Sequence, residues 1–266
     1  MRSLPFFFPL DQNGSPVSGR SPIVLPTADG TKMLLRTGRS GGRGSYGYTG
    51  RGGGGGKRAP WDRLSTKQIV YGIIGANVAV CGVWQIAWMK YSNFNEAPML
   101  VWMRKNWALS LGNLKEGRIW TLFTSTFSHE APLHLLFNMV IVYQFAPQII
   151  SSIGNARFLA LYAFAGVAGN VASALTRTIW PKAPGVGASG SMFGLTAFTA
   201  AAMPSLELLL FFVVPVNARY ALAGWSLFEL VSEVYWQGNR TIDGAAHLGG
   251  IAAGLIFYRK VMRGKF

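Results

Sequence analysis

Acids and cysteines are what this chain has least of. Ten Asp and Glu stand against 25 Lys and Arg in 266 residues, a net charge of +15. Charged residues make up 13% of the chain, where a soluble domain carries about a quarter. There is too little charge here for the exterior of an ordinary soluble domain. The single cysteine, Cys81, excludes an internal disulfide and a cysteine-based metal cluster. It lies in an apolar run and reads as a small core hydrophobe. Histidine is scarce as well: His129, His134 and His247 are the three in the chain. Zinc needs about three or four ligands in tetrahedral geometry, and three histidines without a nearby inward-facing acid are a poor set. No metal and no cofactor are expected.

What the chain does have is apolar sequence. Half of it is hydrophobic and the mean hydropathy is +0.27, which points to an all-α polytopic membrane protein. Basic residues gather before Lys67 and again at Arg259, Lys260, Arg263 and Lys265. Positive charge at both ends suits either nucleic-acid binding or membrane orientation. The long apolar runs between the ends favour the second, because a basic patch on a soluble fold would not need them. A lipid bilayer is the expected surrounding, and nucleic acid is not an expected partner.

Residues 1–66 differ from the rest. They contain Arg2, Arg20, Lys32, Arg36, Arg39, Arg43 and Arg51 but only Asp11, Asp29 and Asp62 as acids, and residues 41–56 are mostly Gly with Ser, Tyr and Arg. Such a segment cannot bury enough apolar surface to offset its chain entropy, so it is expected to be disordered. Its Arg- and Ser-rich, acid-poor character fits a mitochondrial presequence better than a plain basic tail. Residues 67–266 form the expected membrane domain.

A helix needs about 20 mostly apolar residues to span a bilayer. Residues 69–89, 133–150, 158–175, 187–203, 218–236 and 245–262 approach or meet that length, giving six expected spans. The run 206–214 is too short to span and is expected at the interface or re-entering the protein. An even number of spans puts both basic ends on one face and the connector 90–126 on the other. Trp102, Trp107 and Trp120 in that connector suit a membrane interface belt and equally suit loop packing.

Polar side chains in spans are costly and need a reason. With both ends on one side, the second, fourth and sixth spans enter from the other side. His134 and Asn138 lie at the start of the second, one turn apart on one face. Ser189 starts the fourth and His247 the sixth. At about 1.5 Å per residue, all four lie within roughly 10 Å of one surface. Three helices thus bring a hydroxyl, imidazoles and an amide to one depth.

The neighbouring residues suggest the chemistry. Gly187 and Gly190 flank Ser189 and allow close approach of backbone and ligand. A helix N-terminus offers free N–H donors for an oxyanion. Serine needs a base to take its proton, and His247 is available. Gly250 and Gly254 form a G-x-x-x-G packing surface that would bring His247 to Ser189. His134 and Asn138 carry donors that suit an oxyanion hole. His129, in the loop before the second span, reads as a structural hydrogen-bonder. Asp243 is the acid nearest His247 in sequence, and it is expected to cap the helix rather than orient the base. A Ser-His dyad follows, with the imidazole positioned by packing, including the ring of Phe193 one turn after Ser189.

These residues resemble the rhomboid intramembrane proteases. The patterns His134-x-x-x-Asn138, Gly187-x-Ser189-Gly190 and Ala246-His247-x-x-Gly250-x-x-x-Gly254 occur in the family's order, across about residues 67–262. Where members often carry Trp-Arg in the first loop, this chain has Trp120-Thr121. The strings Phe127-Ser128-His129 and Asp243-Gly244-Ala245-Ala246-His247 look most like the mitochondrial branch, related to the presenilin-associated rhomboid-like proteins. That branch commonly has an extra N-terminal helix, for which no span is found here. The resemblance implies a six-helix fold and cleavage of single-pass membrane proteins. Ser189 would be the nucleophile and His247 the general base. His134, Asn138 and the Ser189 amide would line the oxyanion hole, with Phe193 stacked on the base. A catalytically silent binder of membrane proteins with the same fold is the alternative. A transporter is a third class, with Glu229 and Glu233 in the fifth span as its candidate residues.

Overall fold

A computed structural model describes residues 23–26, 32–35, 60–180, 182–210, 214–235 and 243–262. Most of the expected disordered segment 1–66 lies outside the described residues. Within it, β1 (Ile23–Pro26) and β2 (Lys32–Leu35) pair antiparallel, with Val24 opposite Leu34. A short 3-10 turn follows at Pro60–Arg63.

Helix α1 (Thr66–Phe94) starts where the apolar run starts. The Ser65 hydroxyl accepts from the Gln68 N–H, and the Gln68 side chain accepts from the Ser65 N–H. This reciprocal cap satisfies two otherwise unpaired donors. The connector beyond it is folded rather than open. It holds α2 (Pro98–Trp107), α3 (Leu111–Lys115), α4 (Thr121–Thr124) and a 3-10 turn at Ser125–Phe127. Trp84, Ala87, Leu100, Met103 and Ala108 bury one face of α1 against this layer. The indole N–H of Trp84 donates to the Ser128 hydroxyl at 3.1 Å.

Helix α5 (Pro132–Ile153) opens on a proline, whose fixed φ and missing N–H suit a first helical position. Gly154, at φ 82°, turns the chain into α6 (Asn155–Ile179). Helices α7 (Ser189–Ala202), α8 (Ala218–Tyr235) and α9 (Gly244–Met262) complete the bundle. Between α7 and α8, β3 (Glu207–Leu210) and β4 (Val214–Asn217) form a hairpin, with Leu208 opposite Val216. The run expected at the interface is therefore in part a strand. Pro215 is tolerated in it because each strand of a two-stranded sheet is an edge.

By length and composition, α1, α5 and α6 can cross a membrane. Helix α7 has 14 residues, a rise of about 21 Å against the roughly 30 Å of a hydrocarbon core. It begins two residues later than the sequence suggests because Gly187, at φ 140°, cannot be helical. Helix α8 carries Arg219, Glu229 and Glu233 in its 18 residues. The protein is a polytopic helical membrane protein.

The centre of the bundle is α6, α7 and α9, held at backbone distance by glycine. A Cβ on Gly250 would land on the Gly190 carbonyl oxygen, and one on Gly254 on the Gly194 carbonyl oxygen. A Cβ on Gly169 of α6 would come within 2.5 Å of the Ala246 carbonyl oxygen. Around this seam lies an apolar core that includes Val142, Phe145, Phe158, Leu161, Leu195, Phe198 and Phe257. Gly250→Ala or Gly254→Ala must separate α7 from α9, and forced overpacking costs about 1–3 kcal/mol. Both variants are expected to unfold at lower temperature than the parent in detergent. Gly72→Ala, where nothing lies within 4 Å, is expected to match or exceed it.

Candidate active site

Ser189 is the first residue of α7, so its N–H is among the donors that a helix start leaves unpaired. Two residues earlier, the Gly187 N–H donates to the Ser125 carbonyl at 3.0 Å. A Cβ on Gly187 would lie 2.7 Å from Cε1 of His134 and 3.7 Å from the Ser189 hydroxyl. Gly187 is thus required twice, for its φ and for the room it leaves. The His134 ring from α5 and the Ser189 hydroxyl from α7 both border the space this glycine leaves open.

His129 and Asn138 stand behind that meeting point. Nε2 of His129 accepts from the Ala188 N–H at 3.3 Å and lies 3.1 Å from Nδ2 of Asn138. Asn138 also donates to the His134 carbonyl at 3.0 Å. Nδ2 of Asn138 thus has the His134 carbonyl and the His129 ring within hydrogen-bond distance. Through these contacts Asn138 links the first turn of α5 to the residues just before α7. His134 and Ser189 are half-buried, whereas His129 and Asn138 are buried.

His247 sits in the first turn of α9 and is buried. Its ring centroid is 4.5 Å from that of Phe193, which is one turn beyond Ser189 in α7. Phe193 in turn stacks on Trp225 of α8 at 5.9 Å. Gly190, packed against Gly250, sets the separation of the two helices at this level. Among the described residues, no hydrogen bond joins Ser189 to His247. The Nδ1 atom of His247 instead lies 2.9 Å from Oε1 of Glu229. Glu229 also accepts from the Trp225 indole N–H at 3.0 Å.

The sequence offers no acid for the histidine, and the structure does. In the sequence Glu229 is legible as a costly acid in an apolar helix, and there it is a candidate residue for the transporter class alone. Its partner lies on another helix 18 residues away, which spacing along one helix does not reveal.

A second polar cluster braces the start of α9. Asp243 accepts weakly from the Ala246 N–H at 3.4 Å, the expected capping contact. Its other oxygen pairs with Arg177 at 2.6 Å and accepts from the Ser173 hydroxyl. Burial pushes the Asp243 carboxyl up, but Arg177, Ser173 and Lys182 together hold it below its ordinary value. Lys182 also pairs with Glu233 of α8.

His129 lies outside the spanning helices. Burial, reinforced by the charge of His134 and opposed by the Phe127 backbone, lowers it from 6.5 to about 3. Between those values the unfolded chain binds a proton that the folded chain does not. Stability is therefore full above about pH 6.5 and falls as pH drops through that window. The unfolding temperature of the parent in detergent is expected to fall from about pH 7.5 to about pH 5, and His129→Gln is expected to flatten that slope. An unchanged slope would assign the pH dependence to other groups.

The family profile of the Rhomboid domain matches residues 116–264. The chain is 31% identical over 221 residues to RHOMBOID-like protein 12, mitochondrial, of Arabidopsis thaliana, covering 76% of this chain and 61% of that protein. It is 31% identical over 200 residues to Rhomboid protein 1, mitochondrial, of Saccharomyces cerevisiae, covering 72% and 52%. It is 30% identical over 204 residues to Presenilin-associated rhomboid-like protein A, mitochondrial, of Danio rerio, covering 73% and 48%. The matches thus span about half to three-fifths of the length of these relatives. The matched domain contains Ser189, His134, Asn138 and His247, and on it the chain belongs to the rhomboid family.

Proposed function

We propose that this protein is an intramembrane serine protease that hydrolyses peptide bonds of single-pass membrane proteins. The observation that carries this reading is the convergence at one end of the bundle. The Ser189 hydroxyl and the His134 ring both border the space beside Gly187, while Phe193, one turn after Ser189 in α7, packs on the His247 ring. Three helices, α5, α7 and α9, supply these groups from their first two turns.

In the reaction, Ser189 attacks the scissile carbonyl and His247 takes the hydroxyl proton on Nε2, then returns it to the leaving amine. The Ser189 N–H and the His134 side chain stabilise the developing oxyanion. Asn138 holds the backbone of His134 and the ring of His129 in place. A helical substrate hides its carbonyl in its own hydrogen bonds, so the scissile segment must be extended before attack. Substrates are therefore helices that unwind easily near this end of the bundle. A six-span topology would put this end on the face opposite the two basic termini. The relatives are named as mitochondrial, which supports a mitochondrial location; the inner membrane is the compartment we propose.

The test is serine-directed labelling and cleavage of a reporter helix in detergent or liposomes. The parent is expected to react with a fluorophosphonate and to cut the reporter. Ser189→Ala is expected to abolish both, and His247→Ala to lower the cleavage rate at least about 1,000-fold. Equal cleavage by Ser189→Ala sinks the assignment. An unreactive parent that still retains single-pass clients would make it a catalytically silent binder.

A further inference from the structure

We infer that Glu229 is the acid that positions the catalytic base, so that Ser189, His247 and Glu229 act as a three-membered relay rather than a dyad. This inference rests on the protease reading and adds one residue to it.

Glu229 is fully buried in α8, and an acid in such a place is costly unless it is paired. Its pairing is specific. Oε1 receives both the Trp225 indole N–H and the Nδ1 side of His247. A Glu229 carboxylate oxygen held against Nδ1 favours the tautomer in which Nδ1–H donates to it and Nε2 is the acceptor, the form a base must have to take a serine proton. Phe193 closes the ring from its face. The imidazole is thus held by an acid at one edge and an aromatic across its plane. When the Ser189 proton moves to Nε2, the imidazolium formed is stabilised by the adjacent carboxylate, and no proton needs to pass to Glu229.

The other charges near this start of α9 are committed elsewhere. Arg177 and Lys182 pair with Asp243, and Lys182 also pairs with Glu233. Gly244 marks how tightly α8 is applied here. A Cβ on it would lie 2.5 Å from Oε2 of Glu229 and 3.2 Å from Oε2 of Glu233. Two acids one turn apart therefore flank the same backbone, and one of them reaches the histidine. That difference separates a positioning role from general bracing between α8 and α9.

The experiment uses the full chain in detergent with a reporter helix, measuring kcat and KM for the parent, Glu229→Gln, Glu229→Asp and Glu233→Gln. Glu229→Gln keeps the shape and the acceptor but removes the charge. It is expected to lower kcat about 100-fold with KM within about twofold. Glu229→Asp, which restores the charge on a shorter stem, is expected to recover kcat to within about tenfold of the parent. Glu233→Gln is expected to keep kcat within about threefold while lowering the unfolding temperature. If Glu229→Gln does not fold, Glu229→Asp measured against Glu233→Gln carries the comparison. Parent-like kcat in Glu229→Gln overturns the inference alone, as does an equal loss of kcat in Glu229→Gln and Glu233→Gln. Absence of Ser189-dependent cleavage by the parent overturns the protease reading and this inference together.

Discussion

Backbone-to-backbone contact between α7 and α9 is the constraint from which the site follows. Gly250 and Gly254 of α9 lie against the backbone of Gly190 and Gly194 of α7, with no room for a Cβ on either α9 glycine. Lipid supplies no hydrophobic force to drive helices together, so close packing of small residues carries the association. The seam also fixes a distance. Ser189 lies one residue before Gly190, and His247 lies three residues before Gly250, so the seam holds their two helix starts side by side. The same glycines that stabilise the bundle therefore set the spacing of the proposed nucleophile and base.

A second layer of polar contacts orients what the seam brings close. His129 is buried and bonded to the backbone just before Ser189 and to Asn138. The Ser125 carbonyl receives the Gly187 N–H. The folded connector thus reaches the turn that presents the serine. It is bound there again by the reciprocal pair of backbone hydrogen bonds between Leu109 and Gly185, each at 2.8 Å. A loop that looks like a mere link between two spans is one wall of the site.

Helix α8 contributes differently. Much of its surface is apolar and exposed, including Tyr220, Leu227, Phe228, Leu230 and Val234, as befits a helix facing lipid. Its polar residues Glu229, Ser232 and Glu233 are buried on the opposite side. Its hold on the centre runs through polar contacts as well as packing: Glu229 to His247, and Glu233 to Lys182. Buried ion pairs add little net stability, because desolvation offsets their attraction. Their value here is geometric, in fixing which way an imidazole points.

The sequence alone determined whatever depends on one helix at a time. Composition made this a membrane protein. The i, i+4 spacing put His134 with Asn138 and Ser189 with Phe193, and the glycine pair on α9 marked a packing face. Local chemistry named the cap at Asp243. Tertiary structure alone decided the contacts between helices distant in the chain. It set Asn138 against His129, turned part of the run 206–214 into a hairpin, and set Glu229 against His247. The reason is physical: periodicity within a helix says which residues share a face, but not which face of another helix it will meet. That is fixed only when the backbones close on one another and each buried polar atom must find a partner.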